Sequence, residues 1–138
     1  MTRATRTTRR VAVLLIGLAL VVAGCGKDDT PAKARPSTTA RLEILQPVPN
    51  QVSGPDLTVK INLIGAKVVP RTSGTLRGDE GHIHLSLDGR LVSMAYGTTQ
   101  KLDGLKAGAH SLQAEFVAAD HQPFANRVVA AVLFTVKA

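Results

Sequence analysis

An all-β fold class is predicted by three observations. Apolar residues recur with period two after Ala40, the runs carrying them are short, and Gly, Pro, Asn or Asp separates one run from the next. Leu42 and Ile44 begin a first strand, which Pro47, Pro49 and Asn50 end. Leu57, Val59, Ile61 and Leu63 alternate with Thr58, Lys60 and Asn62 in a second, predicting one buried face and one wet face. Residues 66–69 extend or re-enter the sheet before Pro70, and residues 71–81 read as a loop rich in Gly and charge.

The sharpest local expectation is a hairpin. The runs 82–87 and 90–96 flank Asp88-Gly89, a dipeptide suited to the positive φ angles of a type I′ turn. Regular pairing from that turn sets Leu87 opposite Arg90, Leu85 opposite Val92 and Ile83 opposite Met94. Ile83, Leu85, Leu87, Val92 and Met94 then share an apolar face, and His82, His84 and Ser86 occupy the other. Lys106-Ala107-Gly108 turns into a strand over 109–117, with Leu112, Ala114 and Phe116 on one side and Ser111, Gln113 and Glu115 on the other. Residues 118–126 leave room for one short turn, and a last strand over 127–137 offers Val132, Phe134 and Val136 to the core. These elements predict an immunoglobulin-like antiparallel β-sandwich of about seven strands over residues 41–138. A closed barrel or a cupredoxin-type Greek key carries nearly the same signals.

Residues 1–10 hold Arg3, Arg6, Arg9 and Arg10 and no acid, and Val11 to Val22 is apolar apart from Gly17. A basic start followed by an apolar run too short to span a bilayer is the pattern of a secretory signal peptide, here residues 1–24. Val22-Ala23-Gly24-Cys25 resembles the lipobox of bacterial lipoproteins, and Cys25 is the one cysteine of the chain. That resemblance implies cleavage before Cys25, lipidation of its sulfur and amine, and a home at the extracytoplasmic face of the cell membrane. One acyl chain binds marginally, at about 0.8 kcal/mol per buried methylene, whereas two or more hold durably. Arg9-Arg10 is compatible with twin-arginine export as well as the ordinary route. After the cysteine, residues 26–40 contain no large apolar side chain and read as a disordered spacer.

Without the leader, Lys+Arg falls from 17 to 13 against 10 Asp+Glu, so the net charge falls from +7 to +3. With aromatics at 3% and no arginine-rich helix, nothing points to nucleic acid. A domain whose only cysteine carries lipid has no internal disulfide and must stand on its core.

All four histidines fall within the predicted domain. His82 and His84, two apart on a strand, project from one face, a spacing that lets two imidazoles reach one copper or zinc ion. If the strands over 82–87 and 109–117 are antiparallel neighbours, His121 approaches His82 while His110 lies near Asp88. His82, His84 and His121 are therefore the candidate metal ligands, and no cofactor is certain. The plain alternative leaves His82 and His84 as polar residues on the solvent face. Ser111 alternates away from His110 and lacks a nucleophile-elbow setting, so no enzyme is expected. Gly81-His82-Ile83-His84-Leu85, Asp88-Gly89, the run from Leu105 to Leu112 and Asp120-His121 are similar to a pattern of small extracytoplasmic bacterial domains. That resemblance covers less than a third of the chain and implies a β-sandwich. The expectation is a lipid-anchored, non-enzymatic envelope protein that binds an unidentified protein or small ligand; copper or zinc handling is the alternative.

Overall fold

The computed structural model describes residues 34–70, 72 and 74–137. Cys25, the leader and most of the spacer lie outside the described residues. Nine strands follow in order: β1 (Arg41–Gln46), β2 (Val52–Ser53), β3 (Leu57–Ile64), β4 (Lys67–Val68), β5 (Glu80–Leu87), β6 (Arg90–Ser93), β7 (Thr99–Leu102), β8 (Gly108–Ala118) and β9 (Pro123–Val136). They form two sheets, β1-β3-β7 and β2-β9-β8-β5, with β4 and β6 both along the outer edge of β5. The seven longer strands pair antiparallel, while the two-residue strands β2 and β4 add short parallel contacts to β9 and β5. This is an immunoglobulin-like sandwich, with consecutive strands shared between the sheets in that fold's manner.

Alternation explains the core. Leu57, Val59 and Ile61 from one sheet meet Ile83, Leu85, Leu112, Ala114, Phe116, Val132 and Phe134 from the other, all buried. Each large side chain removed from water contributes about 1.5–3 kcal/mol. Phe116 stacks on Phe124, which draws β9 back to Pro123, four residues before the start expected at Arg127.

Three local features depart from the sequence expectation. The hairpin turn is as read, with φ of 50° at Asp88 and 80° at Gly89, but regular pairing lasts only for Leu87 with Arg90 and Ser86 with Leu91. A bulge then sets Leu85 against Ser93, so Val92 and Met94 leave the expected apolar face and are exposed. Thr99–Leu102, to which the alternation assigns no strand, is the edge strand β7; its inward residues are Gln100 and Leu102, too few apolar groups to signal a strand.

The third departure is the end of the spacer. Its last residues are fastened to the domain by polar bonds together with the burial of Thr38 and Ala40. Thr38 N–H donates to Asn126 Oδ1 and Asn126 Nδ2 donates to the Thr38 carbonyl, at 2.9 and 2.7 Å. Ala125 N–H donates to the Pro36 carbonyl, and the Arg35 guanidinium grips both Asp120 carboxylate oxygens and the Pro123 carbonyl. Composition hid this because these bonds need no large apolar side chain.

Candidate functional site: a histidine cluster on the outer sheet face

The β5–β8 register decides which histidines meet. His82 pairs with Val117 and His84 with Glu115, so the C-terminal end of β8 lies beside the start of β5. Beyond β8 the chain reverses in a three-residue loop, Ala119-Asp120-His121. His121 N–H donates to the Ala118 carbonyl at 2.9 Å, Ala118 N–H donates to the Gln122 carbonyl, and Asp120 Oδ1 accepts from Gln122 N–H. His121 takes the left-handed position of this loop, with φ of 62°, where glycine is usual. That placement turns its ring back over β5.

Gly81 makes the close approach of the strands possible at this end. A Cβ there would lie 2.0 Å from the Val117 carbonyl oxygen and 3.0 Å from the Phe116 ring. Only glycine fits between β5 and β8 one residue before His82.

The three rings gather as the sequence predicts. The His121 centroid is 4.2 Å from that of His82 and 5.2 Å from that of His84, and Tyr96 meets the His82 ring edge-on at 5.0 Å. His82 is fully buried, which corrects the solvent-face reading for that residue. It sits on the outer face, but His121 and Tyr96 cover it. Tyr96 had no signal in the sequence, since it reaches the ring only because the chain leaves the sheet after β6.

His84 Nε2 and His121 Nδ1 are 2.9 Å apart. Their centroid separation exceeds that distance by about two ring radii, and the planes are only 19° apart. The rings therefore meet head-on, one nitrogen donating a hydrogen to the other's lone pair. Among the described residues no group of three or more His, Cys, Asp or Glu is arranged to hold a metal ion. The geometry is that of a shared proton.

The surrounding charges are matched. Arg127 Nε and Nη2 donate to the two Glu115 oxygens at 2.7 and 2.6 Å, and Asp120 is held by Arg35. Burial lowers the His84 pKa below its ordinary value, the charges on His121 and His82 lower it further, and Glu115 opposes them.

The fourth histidine lies at the far end of the β5–β8 pair, as expected. His110 Nδ1 is 2.7 Å from Asp88 Oδ2 and its Nε2 is 2.8 Å from the Lys106 carbonyl. It does not join the cluster.

No protein-family model matches the chain. No curated protein matches it either. Among solved structures it is similar to the fibronectin(III)-like modules of Clostridium thermocellum CbhA. The identity is 18%, over 70% of this chain and 94% of that one, with a TM-score of 0.49.

Proposed function

We propose that the chain is a lipid-anchored extracytoplasmic protein whose sandwich domain works by binding another molecule at the cell envelope, without catalysis. The observation that carries the binding role is an apolar stripe on the outer face of β9. Val129, Ala131 and Leu133 stand at every second position there, and Val129 and Leu133 are 43% and 63% exposed. Across the same face, paired position by position, run Glu115, Gln113 and Ser111 of β8. Adjacent apolar side chains left open on a sheet face mark an interaction surface, where scattered single ones would not. The anchor is supported by the Val22-Ala23-Gly24-Cys25 motif and the basic, then apolar, leader before it. The non-catalytic reading is supported by the chemistry around the cluster. His84 is bonded to another imidazole, and the neighbouring carboxylates are engaged by arginines instead of a nucleophile.

Two measurements test this. Mass spectrometry of the mature N-terminus should find Cys25 diacylglycerol-modified, and Cys25→Ala should move the protein from the membrane to the soluble fraction; an unmodified thiol in purified membranes removes the anchor. Photo-crosslinkers at Val129 and Leu133 should capture a defined envelope component in intact cells, while one at Thr58, exposed on the other sheet, should not. Equal capture from both faces removes the binding surface.

A further inference from the structure

At the hairpin end, the β5–β6 hairpin and the connection from β7 to β8 face each other across a cavity of about 530 Å³. That is the size of a site for a small molecule. Leu87 of the hairpin and Leu105 of the connection line it, both partly buried against the core. Val92 joins them because the bulge in β6 turns it away from the inner face of the sheet. Three aliphatic side chains, from both walls, thus meet in one space.

Both walls are fixed by hydrogen bonds. Gly104 N–H donates to Asp56 Oδ1 and Leu105 N–H to the Pro55 carbonyl, at 3.1 and 2.9 Å, which pins the connection to the loop before β3. His110 Nε2 lies 2.8 Å from the Lys106 carbonyl, and Asp88 N–H donates to the Ser111 carbonyl at 2.9 Å. A site held in this way loses little freedom when it is filled.

The charges in the lining differ in how they are used. Asp88 is satisfied within the protein, one oxygen accepting from Ser111 N–H and the other 2.7 Å from His110 Nδ1. Arg90 and Lys106 are exposed, and among the described residues neither side chain has a hydrogen bond or an ion pair. An arginine can hold a carboxylate or a phosphate through two parallel bonds, and a lysine adds a point charge beside it.

We propose that this cavity binds a small organic anion, its carboxylate or phosphate head held by Arg90 and Lys106 and its aliphatic body lying against Leu87, Val92 and Leu105. The site is separate from the β9 stripe and from the histidine cluster, and it needs neither.

The test is nuclear magnetic resonance on the ¹⁵N-labelled full chain in non-ionic detergent, following the amides of Val92, Leu105 and Lys106 during titration with hexanoate and with hexyl phosphate. At least one of the two should give shifts that saturate, and the stronger of them names the head group. It should bind about tenfold tighter than its counterpart without a tail, acetate or inorganic phosphate, as burial of about two methylenes requires. Hexylamine and hexanol should bind at least about tenfold more weakly than the preferred anion. Arg90→Gln combined with Lys106→Gln should weaken binding about tenfold. Val92→Asp, which sets a like charge in the wall, should do the same. All three positions are exposed, so the rest of the spectrum should stay in place. The proposal is overturned if neither anion gives saturating shifts, if hexylamine or the counterparts without a tail bind as tightly, or if the double variant binds as the unaltered chain does.

Discussion

Strands β5 and β8 carry histidines at both ends, and the two ends treat them in opposite ways. At the hairpin end, both His110 nitrogens face acceptors, the Lys106 carbonyl and the Asp88 carboxylate. Only the imidazolium can donate from both nitrogens, so the carbonyl first and the carboxylate second raise the His110 pKa. At the other end, His84 faces a ring like itself and is partly shielded from water, and its pKa is lowered. Residue type and strand pair are the same. What differs is first burial, which lowers the His84 pKa most, and then the partner, a neighbouring imidazole at one end and two acceptors at the other.

Packing separates the two ends as sharply as charge does. The largest expected effect is from Gly81→Ala, which drives a Cβ against the Val117 carbonyl and the Phe116 ring. Backbone and a core aromatic cannot both yield, so a loss of about 3 kcal/mol is expected, read as a lower urea midpoint at unchanged slope. Gly89→Ala, at the hairpin end, meets open space and suffers only from its φ of 80°. It should cost about 1–2 kcal/mol. Equal losses would mean that the histidine end is not the tighter one. A smaller effect is expected of Asp88→Asn, which retains a residue suited to φ of 50° and an acceptor for the Ser111 N–H while removing the charge beside His110. The cost should be below about 1 kcal/mol, since Asp88 is half-exposed. Its clearer readout is a fall in the His110 titration midpoint, with His84 unmoved.

Much of this contrast is legible in the sequence. Alternation in 57–63, 82–87 and 109–117 sorts inward from outward residues. Once β5 and β8 are taken as antiparallel neighbours, His121 must approach His82 and His110 must approach Asp88. The rest depended on features with no periodicity. One extra residue in β6 turns Val92 and Met94 outward, and a bulge of one residue leaves the local pattern intact. Burial of His82 comes from Tyr96 and His121, both outside the regular strands, so alternation alone placed it in water. Arg35 and Thr38 sit in a segment whose composition resembles a linker; their bonds to Asp120 and Asn126 join residues more than eighty positions apart.

The smallest effect expected is also the one that sets the two ends directly against each other. His110 has its pKa raised above 6.5 in the folded chain, so its contribution to stability is complete below 6.5 and is lost as the pH rises through the folded value. His84 has its pKa lowered, so its contribution is complete above 6.5 and is lost as the pH falls through the folded value. Across the histidine range the two slopes have opposite signs and lie on either side of 6.5, so the stability of the intact protein should rise with pH up to about 6.5 and fall above it. Asp88 adds nothing there: its lowered pKa matters only as the pH falls past 3.8. Removing one histidine should expose the other's slope. Urea midpoints of His110→Gln should rise with pH through this range, and those of His84→Gln should fall. Parallel profiles for the two variants would show that both ends handle protons alike, and the contrast between a ring bonded to a carboxylate and a ring bonded to its own kind would then have no thermodynamic consequence.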